Sequence, residues 1–494
     1  MQRKPMTDKM IVVGIDGFDP MHVKYMLDQG RMPNLAKLLE KGSAREDLVL
    51  LGSMPTVTPP MWTTLATGAT ARVHGITGFF NQHPEKLDTV IYALDSRMCK
   101  AEQLWNVFAE AGKKTLVWHW PGSSWPPTSG SPNLAVVDGT QPSNLGSGTA
   151  QVDWEKICLA SEDIKDIRFA AHDASDKGVA GCVITDLDET VDDDQMTGSK
   201  ARGFVTGKSK EISFFAMNEE ETEVNMLAGS NVDTVNSPIK PATGWAAAPE
   251  DAKEFILLTS GGFVRRPCLI LKNENGEYDT VAIYKNKKAT EPIFVVKNDE
   301  FTMGYQDEVV DKHGETKTAS RSVRILEMAK DGSRIKLWLS NAIDVDNDIV
   351  WHPKALLQEI NANVGVAPLA CQMNAREHDN VTKLLIPSWE YYVQWQADCL
   401  TYLMDNNRYD IIFSHVHNVD GLGHKFWHFA KYREEWQNDE KFYQEAMDKV
   451  YEQTDRYIGR FLPYIDQGWT VIVTSDHGLI TEENHPPVLC TAPD

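Results

Sequence analysis

Three apolar runs in this sequence end in groups that can bind a cation. "MIVVGID" ends at Asp16, "DIIFSHVHNVDGLGH" carries Asp420 and His424, and "TVIVTSDHG" ends in Asp476 and His477. Carboxylate and imidazole together suit zinc, with manganese as second choice, better than calcium, which prefers oxygen alone. A fourth stretch, "MPTVTPPMWTTLATG", holds Thr58 at a rigid corner before Pro59 and Pro60. A threonine hydroxyl is a poor nucleophile at neutral pH. A divalent cation changes that: it lowers the pKa of a bound oxygen, from about 16 to about 7 for water on zinc. Thr58 at a helix start can point its oxygen at such a cation, and the helix N-terminus would add N–H groups for a phosphate oxygen.

Each piece also has a plain structural reading. Asp16-Gly17 can be a strand-ending turn, Asp420 and His424 a polar pair at a helix start, and Asp476 a helix N-cap. Thr58 can itself cap the helix that begins near Pro59. Three separate strands ending alike by chance is the weaker account. In an open parallel sheet, ligands collect at the carboxyl ends of the strands. One shared metal site explains all three endings at once.

The elements around these residues must place them. Residues 10 to 150 alternate apolar runs with helical patterns. "MIVVGID" reads as a strand buried on both faces. "MPNLAKLLEKG" reads as a helix from Pro33 to a stop at Gly42, and "AEQLWNVFAEAGKKTLVWHWPG" as helix, Gly112 stop and strand. This rhythm implies a parallel sheet. From about 153 to 345 strand-like pieces such as "EISFFAM", "EFILLT", "CLILKN", "TVAIYK", "PIFVVK" and "IKLWLS" alternate with turns such as "NENGEY" and "KDGS". The α/β rhythm then returns. "ALLQEINANVG" is helical, "YDIIFSHVHNVD" reads as a strand, and 440–462 as a helix with Met447, Val450, Tyr451, Thr454, Ile458 and Phe461 at helical spacing. The expected organisation is an α/β part at 1–152, a β-rich insertion at 153–345 and a second α/β part at 346–494. The acidic run "DLDETVDDDQ" (186–195) does not match an EF-hand and reads as a solvated loop.

With 49 basic and 71 acidic residues the 494-residue chain carries a net charge of −22. Such a chain repels nucleic acid and anionic membranes, and one acting on phosphates needs cations at its site. Seven cysteines, an odd number with no CxxC pair, argue against a disulfide framework and for a reducing compartment. The apolar run of "MQRKPMTDKMIVVGIDG" is too short for a signal peptide, and no stretch approaches a membrane span. A cytoplasmic protein is expected.

In "VVGIDGFD", "PTVTPPMWTTLATGATARVHGITGF", "WPGSSWPP", "NVDGLGHKFWH" and "VIVTSDHG", in that order, the sequence resembles the alkaline phosphatase superfamily. The likeness is to its type I phosphodiesterase and nucleotide pyrophosphatase section, nearest a branch of predicted phosphohydrolases and phosphomutases. The resemblance covers the α/β parts well and the insertion poorly. It implies an alkaline-phosphatase-like central, mostly parallel sheet flanked by helices, with a β-rich insertion covering the site. It also implies two divalent metal ions. Asp16, Thr58, Asp476 and His477 would hold one, and Asp420 and His424 the other, with Thr58 attacking a small-molecule phosphate ester, in particular a diester, through a phosphothreonine intermediate.

The sequence departs from the family in two places. A further histidine far downstream of "SDHG" completes the family's second site. Here the only later histidine is His485, in "ENHPPVLC". Either His485 substitutes, or the chain lacks the family's C-terminal segment; the second is the expectation, with a weaker second metal. Met61 also stands where nucleotide pyrophosphatases often carry a phosphate-binding asparagine, and methionine cannot donate that bond. His74 matches a structural family position. His415 and His417 share a strand face and read as packing or supporting residues, as does His428. The tryptophans of "VWHWPGSSWPP" can wall a cleft or fill a core. The rival readings are a phosphomutase or phosphotransferase, which in this superfamily uses serine, and a non-catalytic binding scaffold. A sulfatase would need a cysteine or serine at position 58.

Overall fold

The computed structural model describes residues 7–50, 52–82, 85, 89–139, 150–170, 183–185, 210–211, 232–311, 314–375, 377–431 and 439–479. Its centre is a six-stranded sheet. The strands are β1 (Lys9–Ile15), β2 (Thr115–Trp118), β3 (Leu134–Val137), β4 (Trp351–His352), β5 (Ile411–Val416) and β6 (Trp469–Thr474). They lie in the order β4-β3-β2-β5-β1-β6, and all pairs are parallel except β4 on β3. This is the expected α/β fold with a central, mostly parallel sheet.

The apolar run of β1 shows why it sits at the centre. Ile11, Val13 and Ile15 point to one face, into a core with Trp389, Leu400, Met447, Val450 and Ile458. Val12 points to the other, into a core with Trp62, Trp105, Trp120 and Phe413. A strand covered on both faces has to be apolar at successive positions. Each fully buried Ile or Val contributes about 1.5–3 kcal/mol.

Helices cover both faces. They include α1 (Pro20–Asp28), α2 (Pro33–Lys41), α3 (Thr58–Thr67), α4 (Leu104–Glu110), α5 (Ile386–Asp405), α6 (Asn418–Lys431) and α7 (Glu440–Gly459). All six residues singled out by spacing, five in α7 and Phe461 just beyond its end, are buried. Trp118 and Trp120 are fully buried in the two cores, so packing, and not a cleft wall, accounts for them.

Residues 151–344 form two further sheets, and Val183–Thr185 and Lys210–Glu211 join Phe80–Gln82 and Thr89–Tyr92 in a small four-stranded one. Of the two larger sheets, one is eight-stranded and runs from Gln151–Asp153 to Arg168–Ala170, with Phe301–Val310 paired to Thr316–Met328. The other has five strands between Lys240–Pro241 and Phe294–Lys297. Cys158, Val235, Val323 and Leu337 of the first pack with Phe255, Cys268, Ile270 and Val281 of the second in one core. The strand pieces read at 254–297 and 335–340 all fall in these sheets. The loop at 186–195 lies outside the described residues, as does most of "EISFFAM". Cys99, Cys158, Cys268, Cys371 and Cys399 are free thiols. Among the described residues no helix is long and apolar enough to cross a membrane.

Candidate metal centre

Because β5, β1 and β6 are parallel neighbours, their carboxyl ends meet at one edge. Asp16 follows β1 directly, and its N–H donates to Val416 O at 3.0 Å. The register pairs Gly14 with His415 and Ile15 with Val416, which sets His417 beside Asp16. Gly17 turns the chain at φ +67°, and a Cβ there would lie 3.0 Å from Asp420 Cβ. Glycine is required on both counts. The close approach lets the first turn of α6 sit against the end of β1.

One expectation needs correction here. β5 ends at Val416 and α6 begins at Asn418, so Asp420 and His424 stand on a helix and not on a strand. Ser414, His415 and His417 already make the run polar before the helix, so polarity does not mark the break. Asn418 Nδ2 donates to Thr454 Oγ1 at 3.0 Å, anchoring the start of α6 to α7.

Thr58 is the first residue of α3. Val57 is the N-cap, with no side-chain cap bond, so Thr58 does not cap the helix. Its hydroxyl lies instead 3.1 Å from His477 Nε2. The helix also offers fewer N–H groups than expected. Pro59 and Pro60 have none, and Met61 N–H donates to Val57 O at 3.1 Å. Within that first turn only the Thr58 amide is left for a phosphoryl oxygen.

His477 Nδ1 lies 2.9 Å from Gly478 O. A carbonyl can only accept, so Nδ1 carries a proton, and in the neutral ring Nε2 carries the lone pair. That lone pair faces Thr58 Oγ1, Asp476 Oδ2 at 3.2 Å and Asp16 Oδ1 at 3.4 Å. Both carboxylate oxygens are buried and accept no hydrogen bond. Buried lone pairs directed at one another fit a cation held between them. Asp16 Oδ2, by contrast, is fully used. It accepts from His415 Nε2 and His417 Nδ1 at 3.0 Å each and from Trp62 Nε1 at 3.3 Å.

The electrostatics agree. Burial alone would raise the Asp16 carboxyl, but His417 and His415 hold it well below the usual carboxylate range. Burial pushes Asp476 well up, and the charges of Asp16 and Asp420 add to the shift. Three buried carboxylates at one edge are a strong cation trap. Asp16, Asp420 and His477 offer ligand atoms all within 4.8 Å of one another, and so do Asp16, His415 and His417. His424 Nε2 lies 3.3 Å from Asp420 Oδ2, and its side chain is exposed.

Asp16, Thr58, Asp420, His424, Asp476 and His477 thus gather at one place, and His485 lies outside the described residues. Sequence reading gave no role to Trp62, whose indole reaches Asp16 from one turn into α3. His415 and His417 had the right signal in their shared face. His74 is buried at the end of the short helix Ala71–His74, where its Nδ1 accepts from Ile76 N–H at 3.1 Å and its Nε2 meets Thr64 Oγ1 at 3.1 Å. The side chain of His428 is outside the described set.

The family model for type I phosphodiesterase / nucleotide pyrophosphatase matches residues 10–224 and 278–490. The chain belongs to this family. No curated protein matches the chain. Two solved structures of phosphonoacetate hydrolase from Sinorhizobium meliloti 1021, in complex with phosphonoformate and with phosphonoacetate, are similar to this phosphodiesterase-family chain. The similarity covers 97% of it and 58% of theirs, at 13% and 14% identity and TM-scores of 0.34 and 0.35.

Proposed function

We propose that the chain is a metal-dependent phosphoester hydrolase acting on a small-molecule diester, with Thr58 as nucleophile. The observation that carries this is the Thr58 hydroxyl, 3.1 Å from His477 Nε2 and directed into the cluster of unpaired Asp16 and Asp476 oxygens. Family membership supports the reaction class. Asp16, Thr58, Asp476 and His477 would hold one ion, and Asp420 and His424 would contribute to a second. Zinc is the first choice and manganese the second. When bound, the ions supply charge stabilisation for the attacking and leaving oxygens and an ionised water for release.

The chain's own residues do the rest. The Thr58 oxygen bonds to phosphorus in line as the bond to the leaving oxygen breaks, and the proton lost by the hydroxyl ends on that leaving oxygen, which departs as an alcohol. The resulting phosphothreonine still carries the retained ester group. Water then cleaves the Thr58 Oγ1–phosphorus bond and returns the hydroxyl. Pro59 and Pro60 fix the backbone at Thr58, so the oxygen is aimed before substrate arrives. The N–H of Thr58 is free to hold a phosphoryl oxygen. Buried Met61 cannot donate a hydrogen bond to phosphate, which favours a substrate outside the nucleotide pyrophosphatase class.

The test is a screen of purified protein with zinc and with manganese against p-nitrophenyl monoester and diester substrates. The reading expects metal-dependent release of nitrophenol, faster from the diester. No turnover with either metal would favour a binding scaffold.

A further inference from the structure

We infer that Glu155, in the β-rich part, and Lys425, next to His424 on α6, are positioning residues for the candidate metal centre, acting on α6 through the chain at 371–373. The inference rests on the metal-dependent reading above, and zinc affinity tests it apart from turnover.

Residues 367–374 form neither helix nor strand, so their backbone groups need partners from elsewhere. Side chains from four elements supply them. Cys371 N–H donates to Ser388 Oγ of α5 at 2.9 Å, and Ala375 O accepts from Tyr443 Oη of α7 at 2.6 Å. The other two partners are charged. Gln372 N–H donates to Glu155 Oε2 at 3.0 Å and to Oε1 at 3.3 Å. Gln372 O and Met373 O accept from Lys425 Nζ at 3.0 Å and 2.8 Å. A carboxylate from the β-rich part and an ammonium from the α/β part thus hold Gln372 by its two ends.

Glu155 is fully buried at the start of the strand Glu155–Ser161. The neighbouring strand Arg334–Leu339 pairs Trp338 with Ile157, and Trp338 Nε1 donates to Glu155 Oε1 at 2.6 Å. The β-rich sheet thus sets where the carboxylate stands. Burial raises this carboxyl, while hydrogen bonds from Cys371, Trp338 and Gln372 and the charge of Lys425 pull against the rise. Buried charges are a weak source of stability, and their better use is to fix one geometry.

The geometry fixed here is that of α6. Asn418 ties its start to α7. Lys425 lies seven residues further along the helix, about two turns. Anchors two turns apart set both the tilt of a helix and its rotation about its axis. Asp420 and His424, one turn apart, share the face that this rotation aims. A shift of about 1 Å in such a face costs on the order of 100-fold in rate.

The test uses the full chain, stripped of metal by a chelator and titrated with zinc against a chromophoric competitor, with thermal melting in parallel. Lys425→Met keeps the apolar stem and loses every N–H of the ammonium. Glu155→Gln keeps the shape and the bond from Trp338 but turns an amide N–H toward Gln372 N–H. Each should weaken the more loosely held zinc ion by about 10–100-fold, the scale of an outer-shell partner. Each should also lower kcat at saturating zinc and leave KM nearly unchanged. The double variant should lose no more than the worse single, because both break one link. Lys425→Arg keeps charge and donors and should recover most of the affinity.

Zinc affinity within about twofold of wild type in both single variants would overturn the inference whatever their melting temperatures, since a purely structural role moves Tm and not the site. So would losses that multiply in the double variant, because independent effects combine in that way. Either result beside Thr58-dependent turnover leaves the functional reading standing. A wild type that holds zinc, weakened as expected by the variants, yet cleaves no ester would support the inference and sink the functional reading. A wild type that holds no zinc would sink both.

Discussion

Asp16 uses its two oxygens differently. Oδ2 takes three donors, from His415, His417 and Trp62, while Oδ1 takes none and faces His477. A carboxylate pinned on one oxygen presents the other to an ion in a single orientation, which removes the rotamer entropy of binding. Burial holds the His415 imidazole below its ordinary value, against the pull of Asp16, so the ring is neutral and donates from Nε2. His415→Ala removes that donor without touching any residue assigned to a metal. It should weaken the first ion by about 10–100-fold, the usual cost of losing an outer-shell partner. A competition titration measures this, and unchanged affinity would mean that Trp62 and His417 hold Asp16 unaided.

At the scale of elements, β1 and α3 are locked together by a missing side chain. A Cβ on Gly14 would lie 2.7 Å from the Trp62 ring and 2.9 Å from Ser414 O. Gly14→Ala should cost about 1–3 kcal/mol through overpacking and displace the indole that bonds Asp16. The denaturant midpoint should fall with m unchanged, and an unmoved midpoint would show that Trp62 can yield. This packing explains what the sequence could and could not disclose. "MIVVGID" is legible because a strand covered on both faces must be a continuous apolar run. The convergence of Asp16, Asp420, Asp476 and His477 is legible because parallel strands bring their ends together. The change from β5 to α6 between Val416 and Asn418 is not, since Ser414 and His415 are already polar inside the strand and polarity does not mark its end. α5 escaped notice because three buried polar residues, Ser388, Gln396 and Thr401, blur its apolar stripe. The strand Thr316–Met328 did too, since Arg321 and Arg324 break its alternation although Arg321 is buried.

Over the whole molecule, charge buried in the β-rich part is matched within the protein, unlike the unpaired Asp16 and Asp476 oxygens at the candidate metal site. Lys156 is fully buried, 3.1 Å from Asp153 Oδ2 and 3.2 Å from Asp233 Oδ2, and Arg321 Nη2 donates to Asp153 at 2.6 Å. Removing one member leaves the others uncompensated, so Lys156→Ala should destabilise by about 3–5 kcal/mol. Burial would raise the Asp153 carboxyl, but Lys156 and Arg321 hold it well below the usual range. A carboxyl depressed in the folded state stabilises fully above its unfolded pKa of about 3.9 and loses that contribution as pH falls toward the folded value. Wild type should therefore weaken steeply on acidification below about pH 4, and Lys156→Ala less steeply. Denaturation across that range checks the sign, and equal slopes would remove Lys156 as the cause. The overall charge of −22 acts in the same direction as the metal edge, since it draws cations and repels polyanions.

The central claim is that Thr58 attacks phosphorus. Its most direct test is to quench the metal-loaded protein in acid during turnover of a diester and map the phosphorylated peptide by mass spectrometry. A phosphoryl adduct on Thr58 is predicted, absent from Thr58→Ala, together with loss of turnover in that variant while its fold is kept. An adduct on another side chain, or a Thr58→Ala protein that still turns over, would contradict the account.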